Sequence, residues 1–190
     1  MCGRVTKQGE ADSADPLPDP ILQDDHAPIS DASGYAVALD AHGRLDWGTR
    51  NDIGGDHVDV VLREFVPDAD LRSLRAGAQS YLFAGETKVV LALALAKLRA
   101  PFGIERPLVK GGGHINGAML KAGVIDELSL LLAPAVDGVT GTLALFDFSG
   151  EETDCMGGRC KMDLTSCHTL AGGGVWLRYR ITPAAEAAFR

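Results

Sequence analysis

The sequence contains little of what marks secreted, membrane or nucleic-acid-binding proteins. Its four cysteines include no C-x-x-C pair, so neither a disulfide framework nor a common zinc motif is indicated. The longest apolar run, residues 89–96, is too short to span a membrane, and the first ten residues lack a signal-peptide core. A net charge of −8 argues against a surface for nucleic acid or anionic membrane. The sequence therefore predicts a soluble, cytoplasmic protein, and its charge excludes kinds of partner without naming one.

The tightest group of potential metal ligands is Cys155, Cys160, Cys167 and His168. Residues 160–165 alternate between apolar and polar side chains, which is the period of a half-buried strand. Regular alternation places Cys160 and Cys167 on opposite faces of such a strand. The sequence therefore predicts reduced, buried thiols and no metal site.

The chain is predicted to form one α/β domain spanning residues 1–190. Residues 8–34 are acidic and rich in proline, which indicates a long surface loop. The alternation of strands and helices beyond it favours a mostly parallel sheet covered on both faces, with an antiparallel hairpin at the C-terminus. Gly77 and Gly123 are expected to close helices, and Pro101 to stop one. Strands are predicted at residues 35–40, 44–47, 58–62, 81–84, 106–109, 128–133, 161–170 and 175–181, the first two joined as a hairpin, and helices at 68–75, 86–98 and 115–122.

Two glycine-containing turns follow predicted strands, where ligands collect in open α/β sheets. The stronger candidate is the run of three glycines at residues 111–113, which stands between a strand and a helix. Several glycines let the backbone approach a phosphate closely, and the helix dipole favours negative charge there. A tight turn would usually need one glycine, so the run favours a ligand. The second candidate, residues 84–87, is explained equally well by a turn at Gly85 with Glu86 complementing the helix dipole.

Residues 109–138, VKGGGHINGAMLKAGVIDELSLLLAPAVDG, resemble the reductase domain of the bifunctional riboflavin-biosynthesis enzyme and its single-domain relatives. The resemblance continues through WGTRNDIGGDH, SYLFAG and GGGVWLRYRI, so it covers most of the chain beyond the acidic loop. It implies the fold of that family: a three-layer, dihydrofolate reductase-like mixed sheet with helices on both faces. It also implies NADPH-dependent reduction of a small heterocyclic metabolite, as in 5-amino-6-(5-phosphoribosylamino)uracil reductase.

The resemblance assigns cofactor contacts to short segments of the chain. The triple-glycine turn cradles the NADPH pyrophosphate in such enzymes. MCGRVT looks like the Gly-Arg-x-Thr segment that holds cofactor phosphates, and the family places the adenosine end at the end of the strand predicted at residues 58–62. The residues implied are Gly111, Gly112, Gly113, His114, Ile115 and Asn116, then Gly3, Arg4 and Thr6, then Leu62 and Arg63, with Gly85, Glu86 and Thr87 as the remaining candidates.

One position departs from the family pattern at the expected substrate pocket. Many relatives have a glutamate directly before the glycines, whereas this chain has Lys110. A cation there suits a phosphate or carboxylate of the substrate, and a solvated lysine is the alternative.

Relatives also carry a strand and a helix ahead of the Gly-Arg-x-Thr segment, with a Ser-x-Asp-Gly-Arg-like motif that lines the nicotinamide pocket. Nothing in this sequence matches that motif, so no general acid is assigned. The alternative function is that of a truncated or inactive family member that binds a nucleotide without reducing a substrate.

A homodimer is predicted as well. Relatives are commonly dimeric, and the closing hairpin alternates apolar residues with Trp176, Arg178 and Arg180. These are side chains favoured at interfaces, and the free edge of such a hairpin needs covering.

Overall fold

The computed structural model describes residues 21–29, 31–136, 138, 141–147 and 160–183. The chain divides into two compact units, Met1–Leu108 and Val109–Arg190. Among the described residues, no helix is long and apolar enough to cross a membrane.

The first unit is built on a sheet whose central strand is buried on both faces. The sheet comprises β1 (Tyr35–Leu39), β2 (Asp52–Ile53), β3 (Asp56–Leu62) and β4 (Ser80–Phe83). Strands β1 and β4 run parallel to β3 on either side of it, and β2 pairs antiparallel with its start. Continuous burial from His57 to Leu62 is the pattern of a strand covered by helices on both sides.

Two helices cover the two faces of this sheet. Helix α1 (Asp68–Ala76) and helix α2 (Leu91–Phe102) each bury one apolar stripe. Alternate residues of β3 and β4 point into two separate core clusters because side chains alternate along a strand. One cluster contains Val58, Val60, Leu62, Val66, Leu71, Leu74, Tyr81 and Phe83, and the other contains Val61, Leu82, Ala84, Ala94, Leu98 and Phe102.

The second unit combines one helix with an antiparallel sheet. Helix α3 (Gly113–Lys121) precedes β5 (Glu127–Leu132), β6 (Cys160–Thr169) and β7 (Val175–Pro183). The strand order is β5-β7-β6, and both pairings are antiparallel. The predicted C-terminal hairpin is therefore confirmed.

Two predicted elements of the first unit are wrong. Residues 44–47 form no hairpin with β1, which instead pairs parallel with β3. Residues 40–43 make only a turn, in which Gly43 N–H donates to Asp40 O (3.0 Å). Helix α2 begins at Leu91, not at residue 86, and Pro101 lies inside its last turn. Glu86 consequently belongs to a loop and does not complement the dipole of this helix.

Two predictions about the strands of the second half also change. Residues 106–109 form no strand, and Leu108 is 77% exposed. Strand β5 was expected to be parallel and covered on both faces, but it pairs antiparallel with β7, and Leu131 is 63% exposed. A short apolar run is compatible with either strand direction, so apolar periodicity alone does not predict that β5 is antiparallel.

A β-bulge overturns the predicted placement of the cysteines on β6. Leu164 aligns with Tyr179 and Ser166 with Arg178, so Thr165 is an extra residue. Cys160 and Cys167 therefore share one face, about 20 Å apart along the strand, too far to bind one metal ion. They are not buried as predicted, since Cys160 is half-buried and Cys167 exposed. Cys155 lies outside the described residues.

Asp59 is a buried carboxyl group in the centre of β3. Its side chain is fully inaccessible, and neither carboxylate oxygen has a hydrogen-bond partner among the described residues. Burial raises the pKa of Asp59 to about 7, with a smaller contribution from Asp25. Nearby, His57 Nε2 and Ser80 Oγ are hydrogen-bonded at 2.8 Å, and burial lowers the pKa of His57. Asp59 is thus protonated in the folded chain at mildly acidic pH.

We predict that Asp59 makes the folded chain less stable as pH rises. Between pH 4 and pH 7 the folded state holds a proton that the unfolded state has released, so the free energy of unfolding falls with pH. Chemical denaturation at pH 5 and pH 7 measures this decrease, which we expect to be about 2 to 3 kcal/mol larger in the wild type than in Asp59→Asn. His57 is present in both proteins, so its own titration cancels. Equal pH slopes in the two proteins would refute the assignment.

Candidate functional site

Three parallel strands of the first unit end at one edge of the sheet. Backbone hydrogen bonds continue past their ends: Arg63 N–H donates to Ala41 O (3.1 Å), and Glu64 N–H donates to Gly85 O (2.8 Å). These bonds tie together the loops that follow β1, β3 and β4. We call residues 40–43, 63–65 and 84–87 the carboxyl edge. Ligands of open α/β sheets bind at such an edge.

Arg63 is a predicted site residue that lies at the carboxyl edge. Its Nε donates to His42 Nδ1 (3.0 Å), which orients the guanidinium. Its two terminal nitrogens have no hydrogen-bond partner among the described residues, so a planar donor fork suited to phosphate is left available. The Leu62 side chain, in contrast, is fully buried in the core. Only the Leu62 backbone reaches the edge, where its carbonyl accepts a hydrogen bond from Ala84 N–H (2.9 Å).

Gly85 is required by the local backbone. It has a φ of +113°, and a Cβ at this position would collide with the Lys88 carbonyl oxygen. The tight turn after β4 thus explains this glycine without a ligand. Glu86 and Thr87 follow it in an exposed loop that ends before α2 begins.

Phe65 is a residue of the carboxyl edge that sequence reasoning missed. Its side chain is 70% exposed, and its backbone has a φ of +62°. Few bulky residues adopt this left-handed conformation. A phenylalanine just after a buried strand reads as core in a sequence, so no pattern signalled its exposure.

In the second unit, the triple-glycine turn leads directly into α3. Gly112 is the N-cap residue and contributes no side-chain cap, and the first turn of the helix has no acidic residue. Gly111, Gly112 and His114 are exposed. The N-terminus of α3 therefore presents backbone N–H groups and the positive end of a helix dipole to solvent, an arrangement that binds anions.

The three glycines have different roles. A Cβ on Gly111 would collide with the Ile115 side chain, and one on Gly113 would lie 2.5 Å from Ala144 O. Packing therefore demands glycine at both positions. A Cβ on Gly112 would meet nothing within 4 Å, and its φ of −80° suits any residue. Among the described residues, a side chain at position 112 would therefore project into open space in front of the helix.

His114 and Asn116 hold a loop against α3. Asn116 Nδ2 donates to Leu145 O (2.9 Å), and His114 Nδ1 lies 3.3 Å from Asp147 Oδ2. Asp147 N–H also donates to Gly113 O (2.9 Å). The side chains of His114 and Asn116 thus hold the loop of residues 145–147 at the glycine turn. Lys110, directly before the glycines, is exposed to solvent.

The predicted residues Gly3, Arg4 and Thr6 lie outside the described residues, so their role stays a prediction. Within the described ranges, no group of three or more His, Cys, Asp or Glu side chains is arranged to hold a metal ion.

Comparison with known proteins agrees with the expected family. Residues 39–175 match the model of the RibD C-terminal domain. Over 111 residues the chain is 34% identical to the 2,5-diamino-6-ribosylamino-4(3H)-pyrimidinone 5′-phosphate reductase of Methanothermobacter thermautotrophicus. That alignment covers 58% of this chain and 50% of the relative, so the chain spans about half the length of the curated relative it matches.

Solved structures share the fold. The pyrimidine reductase-like protein of Corynebacterium diphtheriae superimposes with a TM-score of 0.61 at 18% identity, over 79% of this chain and 62% of that one. RibD of Acinetobacter baumannii gives a TM-score of 0.57 at 23% identity, over 77% and 37% of the two chains. The predicted mixed α/β fold class is confirmed. Because the family match spans well over half of the sequence, the chain belongs to the RibD C-terminal domain family.

Proposed function

We propose that this chain is an NADPH-dependent reductase of a small heterocyclic metabolite, a phosphoribosylated aminopyrimidine of the kind named in its Methanothermobacter relative. The observation that carries the proposal is the N-terminus of α3, where Gly112 faces open space among the described residues at the positive end of the helix dipole. This is the chemistry that a dinucleotide pyrophosphate requires.

The described residues fit such a cofactor. In the second unit, the glycine turn offers backbone donors to a phosphate group. In the first unit, Arg63 offers a guanidinium fork to a phosphate group. Because the Leu62 side chain is buried, we assign only its backbone to the cofactor site. Gly85 forms the tight turn that places Glu86 and Thr87 next to the end of β4. Gly3, Arg4 and Thr6 are proposed to add phosphate contacts.

The chain's own part in the reaction is binding and orientation. When bound, NADPH supplies the hydride, and the protein holds the reactants in line and excludes water. Lys110 is exposed directly before the glycines, and we assign it to an anionic group of the substrate.

The experiment that tests this function is a reductase assay on the full chain. NADPH consumption is measured with a panel of phosphoribosylated aminopyrimidines and pteridines, and one aminopyrimidine should be reduced. Tight NADPH binding without consumption of any compound would instead support the alternative, a nucleotide-binding protein without catalysis.

We further propose that residues 1–190 act as one domain, in the cytoplasm, and as a homodimer. Support for a dimer comes from β7, whose alternating burial leaves Trp176, Arg178 and Arg180 exposed on one face. Trp176 Nε1 donates to Ser129 Oγ (2.8 Å), and Arg178 pairs with Glu127. These contacts restrict the conformations of the exposed side chains, so less side-chain entropy is lost when two chains associate.

The first prediction from the proposed function concerns Gly112→Val. The extended backbone at this position accepts valine, so the melting temperature should stay close to that of the wild type. NADPH binding measured by calorimetry should be lost, because the side chain fills the phosphate space. Gly113→Ala is the contrasting variant: its Cβ would press on Ala144 O and should lower stability. Wild-type affinity in Gly112→Val would leave the turn with a structural role alone.

The second prediction concerns the choice between NADPH and NADH. Wild type should prefer NADPH, and Arg63→Met should reduce that preference about tenfold or more, since a charge-assisted pair with the 2′-phosphate is lost. NADH affinity should not change. Arg99→Met removes an exposed arginine from the last turn of α2 and is the matched control. Equal affinity of wild type for the two cofactors contradicts this account.

The third prediction is that light scattering at micromolar concentration gives twice the 20.0 kDa chain mass. Trp176→Glu should shift the protein towards monomer by placing a charge in the interface. Val136→Glu, at a position 95% exposed and outside the sheet, should leave the mass unchanged. A clean 20.0 kDa species for wild type rules the dimer out.

A further inference from the structure

Asp59 lies beneath α2, in the centre of β3. Because side chains alternate along the strand, Asp59 shares a face with Val61, which packs with the α2 side chains in one of the two core clusters. Its aligned neighbours on the adjoining strands are Val37 of β1 and Ser80 of β4. The Asp59 side chain is fully buried, and burial of a carboxyl group is most unfavourable when the group is ionised.

The polar side chains beside Asp59 are bonded to other partners. His57 Nε2 and Ser80 Oγ are hydrogen-bonded at 2.8 Å, and the His57 ring also bonds to the Asn51 backbone. A neutral imidazole has a single N–H, so with the Asn51 carbonyl accepting that proton, Nε2 accepts the hydroxyl proton of Ser80. On β1, the Tyr35 ring meets the His57 ring edge-on, with the centroids 6.3 Å apart. Among the residues that the structure describes, none donates a hydrogen bond to Asp59.

The charged group that acts on Asp59 is Asp25. Phe83 N–H donates to Asp25 Oδ1 (2.9 Å), and Lys97 Nζ on α2 lies 2.9 Å from Asp25 Oδ2. Asp25 thus fastens the segment of residues 21–29 both to β4 and to α2. Burial, and to a smaller extent the negative charge of Asp25, raises the pKa of Asp59 to about 7.

Helix α2, which covers Asp59, has weakly stabilised ends. The side chains that it buries are uncharged: Ala94, Leu98 and Phe102. It has no side-chain cap, no acidic residue in its first turn and a proline in its last turn. Helix α1, on the other face, has two acidic residues in its first turn and a basic residue in its last. Local opening of the first unit is therefore expected at α2 before α1.

We propose that Asp59 is a pH-controlled switch whose ionisation releases α2 and residues 21–29 from the sheet. Release exposes the carboxylate to water, which stabilises its charge. At the start of α2, Val90 N–H donates to Ala84 O (2.7 Å). Release of the helix therefore also loosens residues 84–87, and the switch links pH to the shape of the carboxyl edge.

The open form gains on the closed form as pH rises. In the open form the carboxyl group meets water and titrates with an ordinary pKa of about 4, whereas in the closed form the pKa of Asp59 is raised to about 7. Between these values the closed form holds one proton more than the open form. The open fraction thus rises about tenfold per pH unit and levels off once the closed form ionises too.

Hydrogen–deuterium exchange of the full chain, followed by mass spectrometry between about pH 5 and pH 8, tests the switch. Asp59→Asn and Asp59→Val both remove the titrating group, and valine already occupies the β3 positions on either side. Glu105→Gln removes an exposed carboxyl group and is the matched control. Wild type and variants are compared at the same pH, so the intrinsic pH dependence of amide exchange cancels. Low concentrations of guanidinium chloride separate local opening, which they barely affect, from global unfolding, which they accelerate.

We expect peptides of α2 and of residues 21–29 to exchange faster in wild type than in both Asp59 variants. The ratio should grow about tenfold per pH unit from about pH 5 to pH 7 and should not depend on low guanidinium chloride. Glu105→Gln should exchange as wild type does. Peptides of α1 should exchange more slowly than those of α2, with the steep denaturant dependence of global unfolding.

Two results would overturn the switch. One is equal exchange of α2 in wild type and both Asp59 variants at every pH. The other is exchange of α2 that accelerates with guanidinium chloride as steeply as that of α1, because Asp59 would then act on global stability alone. Neither result bears on the reductase proposal, since the measurement contains no cofactor or substrate.

Discussion

The burial of β3 on both faces is the constraint on which the first unit depends. Its alternate side chains enter two cores, one under each helix, so the strand cannot slide or rotate without exposing one of them. The packing of β3 in both cores therefore fixes the residue at which the strand ends. Arg63 and Phe65 follow immediately, tied through their neighbours to the loops after β1 and β4. The strand thus presents a cation and an aromatic ring at the carboxyl edge. At its centre lies the carboxyl group of Asp59, which has no hydrogen-bond partner within the part of the chain that the structure describes.

The phosphate site proposed for the second unit is built by a different means. There the backbone itself supplies the donors, and packing decides which glycines are free. Gly111 and Gly113 are needed for close contacts with Ile115 and with the loop of residues 144–147, whereas Gly112 faces open space. One short segment therefore holds both the glycines that packing requires and one glycine that faces open space. The exposed dipole of α3 then favours a negatively charged group at that point.

Local sequence patterns predicted β3, β4, α1 and the β6–β7 hairpin, because apolar periodicity and turn residues determine the bounds of these elements to within a few residues. They did not predict the start of α2, since the seven residues from Ala84 to Val90 form a loop closed by Val90 N–H donating to Ala84 O (2.7 Å). The pairing of β5 and the bulge at Thr165 depend on neighbours distant in sequence. At the site, the glycine turn and Arg63 could be named from chemistry and family resemblance. The exposure of Phe65 could not, because it follows from hydrogen bonds made by residues on either side of it.

The function proposed for this chain is the transfer of hydride from NADPH to a phosphoribosylated aminopyrimidine. The most direct measurement uses NADPH with deuterium at the transferable position and mass spectrometry of the product. The account predicts that each cofactor consumed yields one product molecule carrying one deuterium. Cofactor oxidation without deuterium in the aminopyrimidine, or a substrate returned unchanged, would contradict it.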